Sequence, residues 1–331
     1  MNLSADNLKV FGDESFDEKG QRVSAVAALI GTEKEWVHLV EKWTETTGGR
    51  EFHAAEWETE YANHPDKEKH KENRRIYAEL TKLIVESGLR GFGVAFDIAS
   101  CREHFPAVNS EEGFYKCFAD IVNACGSLAI TEKRKIEEFT MDNRKGKEYN
   151  AGLIYQYFMQ RPEWQRENIF LTSKLSFDNR SNPRIQIADL VARETMKFLD
   201  NYVGPVRRVM RGSLKALATA NQRIQFTAYE GPYFKSWRDQ MGELEKSSGT
   251  NIQEYAKWLI ANKQPENWSS RFHFIIWLAA KDFEAAPTAE PTEFEKFDAT
   301  VGRLLSVSHK ELQKREKRYQ KQRAKKKRAK T

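Results

Sequence analysis

Cysteine is scarce. The chain of 331 residues has three, Cys101, Cys117 and Cys125, an odd and widely spaced set with no Cys-x-x-Cys or His-x-x-x-His pattern nearby. That excludes a disulfide scaffold and a zinc site of ordinary spacing, and leaves the thiols as small reduced filler. With 9 prolines and 18 glycines, collagen-like and wholly disordered chains are excluded too. No apolar run approaches the ~20 residues of a membrane helix. The opening residues also lack the basic-then-apolar order of a signal peptide. The expectation is a soluble, cytoplasmic chain with no membrane partner.

What the chain has is length, enough for one large domain or two smaller ones, and a displaced charge. Residues 310–330 hold 12 Lys/Arg and 2 acids, while the remaining 310 residues carry 42 bases and 46 acids. The net +6 is therefore a tail of net +10 on a mildly acidic body. Such a tail, including Lys321, Arg323, Lys325, Lys326, Lys327 and Arg328, is held near a phosphate backbone by counterion release, whatever the base sequence. Read without a partner, it is a solvated helix end.

Apolar spacing gives the organisation. Residues 8–12 and 23–30 read as two strands of a hairpin, 33–46 and 66–87 as helices flanking a charged loop that holds Phe52-His53-Ala54-Ala55-Glu56-Trp57. Strands are expected at 89–96, 135–141 and 169–172, and helices at 111–124, 149–159 and 182–199, the last opened by Pro183. A hairpin followed by strand and helix units implies an α/β fold with a mixed sheet covered by helices. Residues 201–283 show helical spacing without that rhythm and read as a helical appendage. Residues 284–292 read as a linker, and 293–331 as an amphipathic helix running into the basic tail.

Acids recur at the ends of these strands: Asp13, Asp97 and Asp142. Strand ends are where a sheet presents functional groups, because the following loop is free to shape a pocket. Mg²⁺ and Mn²⁺ require hard oxygen ligands, and carboxylates from separate strands can converge on an ion. Each acid taken alone reads as a turn former. Asp189 adds weight, because it interrupts the apolar helical run Ile185 to Ala192. A buried acid there needs a cation, which is either a metal or a partner such as Arg184 or Arg193.

Four segments together resemble the domain-of-unknown-function 3800 family. They are Phe11-Gly12-Asp13-Glu14-Ser15, Glu51-Phe52-His53-Ala54-Ala55-Glu56, Phe139-Thr140-Met141-Asp142-Asn143-Arg144, and Ser176 to Arg184 with the following Ile185-Gln186-Ile187-Ala188-Asp189-Leu190-Val191-Ala192. The resemblance covers about residues 8–200, and it implies a ribonuclease H-like fold with a mixed five-stranded sheet. Its first three strands are antiparallel, 33–87 is a helical insertion, and strands 135–141 and 169–172 lie beside the first strand. Phe16 departs from the family, which has glycine after Asp-Glu-Ser.

Carried over by position, the resemblance implies that Asp13, Asp142 and Asp189 hold two divalent ions, Mg²⁺ or Mn²⁺, roughly 4 Å apart for phosphodiester hydrolysis. Glu14 or Asp178 is the candidate fourth ligand. Glu111 and Glu112 start the helix that supplies a glutamate in the full ribonuclease H set, but spacing singles out neither. His53 is a candidate to shuttle a proton or hold a phosphate. Lys174, Arg180 and Arg184 are candidate phosphate contacts. The expectation is a metal-dependent nuclease acting on RNA or DNA, with the family's associations implying phage defence or a mobile element. The alternatives are a catalytically inactive nucleic-acid-binding protein of the same fold, or a protein-protein adaptor working through 201–283.

Overall fold

A computed structural model of the chain describes residues 7–248, apart from breaks at 18–19, 64–65, 107, 109, 144–147, 160–161, 173 and 220–222. The linker, amphipathic helix and basic tail expected at 284–331, with Lys321, Arg323, Lys325, Lys326, Lys327 and Arg328, lie outside the described residues. The described part falls in one unit, and it has no helix long and apolar enough to cross a membrane.

Its frame is a six-stranded mixed sheet in the order β5-β4-β1-β2-β3-β6. The strands are β1 (Leu8–Phe16), β2 (Val23–Thr32), β3 (Arg90–Asp97), β4 (Ile136–Asp142), β5 (Ser176–Asp178) and β6 (Ile224–Tyr229). β2 pairs antiparallel with β1 and β3, whereas β1–β4, β4–β5 and β3–β6 are parallel. Only β2 therefore runs against the rest, and the C-terminal ends of the other five share one edge.

Around the sheet lie α1 (Glu33–Thr47), α2 (Ala54–Asn63), α3 (Lys67–Glu86), α4 (Ile98–Arg102), α5 (Ser110–Glu132), α6 (Glu148–Met159), α7 (Pro162–Glu167), α8 (Pro183–Val203), α9 (Gly212–Thr219) and α10 (Gly231–Ser248). α1 starts where a capping box forms: Glu35 N–H donates to Thr32 Oγ1 at 3.3 Å, and Thr32 N–H donates to Glu35 Oε2 at 2.7 Å. It stops at Gly48, whose φ of 63° is a left-handed conformation that suits glycine. Between these ends Trp36, Leu39 and Trp43 turn one face inward.

The pleat of β1 divides the core. Val10 joins Phe118, Phe139 and Tyr155 in an apolar layer on the α5 and α6 side. Phe11 joins Trp36, Leu80 and Leu190 on the side of α1, α3 and α8. Each buried large apolar side chain contributes about 1.5–3 kcal/mol relative to exposure. The three cysteines are buried and free of disulfides.

Several expectations need correction. β1 does not stop at Gly12; it runs to Phe16 because β2 supplies partners as far as Ser24. Asp13 and Glu14 are thus paired residues inside a strand. The segment Phe52 to Trp57 is no mere loop, since α2 begins within it at Ala54. Residues 169–172 provide only a bridge between Phe170 and Ile136, and the strand beside β4 is β5.

The sheet has six strands, not five, because β6 pairs with β3 across Gly91 to Phe96. Over residues 201–248 a purely helical appendage is therefore replaced by a sheet-edge strand between two helices. Residues 249–283 lie outside the described residues. β6 shows an alternating pattern in which Ile224 and Phe226 pack inward.

Candidate functional site

Three parallel strand ends set the site. Gly12 pairs with Met141 across β1 and β4, so the next residues along, Asp13 and Asp142, are neighbours at the same edge. Asp142 in turn pairs with Asp178 across β4 and β5. The row Asp13, Asp142, Asp178 crosses the C-terminal edge of the sheet. Asp189 reaches it from α8, which packs directly on β1 and β2. Asn182 and Pro183 start that helix, the Asn182 side chain accepting from Arg184 N–H at 2.9 Å.

The site is dry and crowded with like charge. Asp13 is 3% exposed and Asp189 4%. Burial pushes the Asp13 carboxyl well above the usual carboxylate range, and the charges of Asp189, Glu14 and Asp142 push it further. One hydrogen bond, from Glu14 N–H to Asp13 Oδ1 at 2.6 Å, opposes them. Burial also raises Asp189. His53, a hydrogen bond from Ala54 N–H at 2.8 Å, Arg180 and Arg193 all pull it back.

Asp189 is thus not clasped by Arg184 or Arg193, the two partners its sequence offers. Arg184 pairs with Glu33 at 2.6 Å and lies over the Phe11 ring. Arg193 pairs with Glu58 at 2.8 Å.

The remaining candidates fall into place unequally. His53 flanks Asp189, its Nδ1 2.8 Å from Glu56 Oε1 but outside hydrogen-bond geometry. Asp178 serves its own turn, accepting from Asn179 N–H and Asn182 Nδ2, each at 2.8 Å. Arg180 adds positive potential near Asp189, and its carbonyl accepts from Gln186 Nε2 at 2.7 Å. Lys174 is exposed. Asp97 is a capping residue, accepting from Ser100 N–H and Oγ at the start of α4.

Two buried polar groups were not singled out from the sequence, Glu112 and Gln186. Glu112 is 0% exposed. Its neighbour Gly113 lies over Ser24, the partner of Phe16 in β2. Glu111 instead accepts from the Tyr115 hydroxyl at 2.7 Å. Gln186 is the second. Its Oε1 accepts from Trp43 Nε1 at 3.1 Å and Phe52 N–H at 3.2 Å, tying the start of α2 to α8. One turn before Asp189 in the same apolar run, Gln186 was as anomalous as the acid.

Among the described residues, no three His, Cys, Asp or Glu side chains stand, as they lie, in a set able to hold a metal ion. Asp13 and Asp142, on adjacent strands, and Asp189, on α8, offer oxygen donors of the type that Mg²⁺ or Mn²⁺ takes. No protein-family model, curated protein or solved structure matches this chain.

Proposed function

We propose that this protein is a metal-dependent nuclease of ribonuclease H-like architecture, hydrolysing phosphodiester bonds of RNA or DNA. The observation that carries the reading is that Asp13 of β1 and Asp142 of β4 stand side by side on adjacent parallel strands, with the charges of Asp142 and of Asp189 on α8 both raising the buried Asp13 carboxyl. The strand order β5-β4-β1-β2-β3, with β2 alone reversed, supports the architecture. The resemblance to the domain-of-unknown-function 3800 family implies such an order, though with 169–172 where β5 stands and without β6.

Asp13, Asp142 and Asp189 would hold Mg²⁺ or Mn²⁺, with Glu14 and Asp178 beside them. Such ions, when bound, acidify a water and neutralise charge on the leaving oxygen. The chain's own residues orient and bind. Ala54 N–H fixes one oxygen of Asp189. His53, next to Glu56, offers an imidazole to move a proton or hold a phosphate beside that acid. Arg180 and Lys174 attract the phosphate backbone.

Labelled single- and double-stranded RNA and DNA, incubated with Mn²⁺, test the reading. Cleavage by the intact protein and a loss of about 10²-fold or more in Asp13→Asn are expected. Equal turnover by both proteins removes Asp13 from the mechanism and sinks the proposal.

A second reading is a nucleic-acid-binding protein of the same fold without catalysis. It is favoured by the absence, among the described residues, of a ligand set in place. Its signature is nucleic-acid binding with no cleavage of any substrate in Mg²⁺ or Mn²⁺.

A further inference from the structure

A groove of about 530 Å³ opens between α3 and α9, away from the strand-end acids, with His70, Arg74, Tyr77, Thr81, Arg211 and Ser213 among its walls. The charge along it is one-sided. Lys67, His70 and Arg74 are three and four residues apart on α3 and share a face. The acids interspersed with them are engaged elsewhere: Glu68 pairs with Lys71 at 2.7 Å and Glu72 with Arg75 at 2.8 Å. Arg74 is exposed.

The loop at 204–211, Gly-Pro-Val-Arg-Arg-Val-Met-Arg, leads into the groove wall at Arg211 and has three arginines and no acid. That loop is also apolar where it meets water. Val209 is 91% exposed, Val206 65% and Met210 50%. The guanidinium of Arg207 lies 5.1 Å from the ring centroid of Tyr202, itself exposed. Cations beside exposed flat and aliphatic side chains match a partner that offers phosphates and unstacked base faces together.

The groove is also joined to the acid cluster. Arg211, on its wall, holds Glu58 Oε1 at 3.0 Å, while Arg193 holds Glu58 Oε2 at 2.8 Å. Arg193 lies one helical turn beyond Asp189 on α8.

We propose that the α3–α9 groove and the 204–211 loop bind a single-stranded nucleic acid, with Lys67, Arg74, Arg207 and Arg208 on its phosphates and Val209 and Met210 against its bases. For the class of partner this rests on the nuclease reading, and it adds where the strand lies.

The test uses the full chain, so that the basic tail is the same in every sample. Binding of a fluorescein-labelled single-stranded oligonucleotide, as DNA and as RNA, is followed by anisotropy over a series of salt concentrations. Arg74→Ser/Arg207→Ser/Arg208→Ser is compared with a charge-matched control, Lys34→Ser/Lys42→Ser/Lys235→Ser, on exposed faces of α1 and α10. Far-UV circular dichroism and thermal melting confirm that each variant is folded.

The groove variant should bind about tenfold or more weakly, and its log K against log salt slope should be shallower by about 2, at about 0.7 per lost phosphate contact. The control should bind as the intact protein does. Equal loss in both variants, or affinity within about twofold of the intact protein, overturns the proposal and leaves binding to general charge or the tail. A loss confined to anionic phospholipid vesicles, with oligonucleotide binding kept, also overturns it in favour of a membrane partner. Cleavage in Mn²⁺ is scored separately: a groove that binds in a protein that never cleaves removes the nuclease reading alone. Full cleavage with unaltered binding in the groove variant removes the groove alone.

Discussion

Ala54 N–H donates to Asp189 Oδ2 at 2.8 Å, joining positions 135 residues apart in the chain. The first turn of α2 is therefore the lid on one acid of the cluster. The residue just before it, His53, adds its charge beside the same acid.

Gln186 is the bolt on that lid. Replacing it with leucine keeps its bulk but strands two buried donors, Trp43 Nε1–H and Phe52 N–H, and the part-buried Arg180 carbonyl. Gln186→Leu should lose about 2–6 kcal/mol, at about 1–3 kcal/mol for each of the two buried donors. Urea unfolding reads this as a lower midpoint at unchanged slope. An unchanged midpoint would show that water replaces the amide freely.

Asp13 should make stability depend on pH and on metal. Its folded-state pKa lies above the unfolded value, so the fold prefers the protonated form. The contribution is fully present below about pH 3.9 and is lost as pH rises through the raised folded-state value. Asp13→Asn should accordingly melt higher than the intact protein at neutral pH in EDTA, by about 2–4 °C for each kcal/mol relieved, and at the same temperature in strong acid. Mn²⁺ should raise the melting temperature of the intact protein and leave Asp13→Asn unmoved. Identical pH dependence in the two proteins would remove the buried repulsion.

His53 helps to hold the Asp189 carboxyl down against burial. Removing the imidazole lets the acid rise, so its ionised form is reached only at higher pH. In His53→Ala the acid limb of kcat/KM for nucleic-acid cleavage should move to higher pH. A rate loss without displacement of that limb would confine His53 to proton transfer or phosphate binding.

Gly12 keeps β1 and β4 in register beside the acids. A Cβ there would come within 2.6 Å of Met141 Sδ and 2.9 Å of the Ala27 carbonyl oxygen. The methionine can turn away, but the backbone oxygen cannot. Gly12→Ala should therefore cost about 1–3 kcal/mol and depress cleavage by displacing Asp13 from Asp142. Thermal melting and the Mn²⁺ assay read both effects, and wild-type values in each would show that the strands accommodate the methyl group.

Much of the frame was legible in the chain. The apolar run 23–30, the three- and four-residue spacing of Trp36, Leu39 and Trp43, and the Asn182-Pro183 start of α8 are local signals, and they ended up as a strand and two helices. Asp189 was legible by contrast, as an acid in an apolar run. β6 was missed because its neighbours in sequence are helical and its partner, β3, is more than 120 residues away. β5 was misplaced because Ile169 and Phe170 are buried like a strand, yet pair only through one bridge. Glu112 looked no different from Glu111, since burial is conferred by the sheet beneath the helix.

The sequence by itself determined where helices and most strands form, which faces turn inward, and that Asp142 ends its strand, because these depend on side-chain periodicity and turn chemistry a few residues apart. Only the tertiary structure decided that Asp13 and Asp142 are neighbours, that Arg184 goes to Glu33 and Arg193 to Glu58 rather than to Asp189, and that Arg211 enters the wall of a groove. Strand order and the competition among many possible ion pairs are settled by packing across the whole chain, and no short window of residues contains that competition.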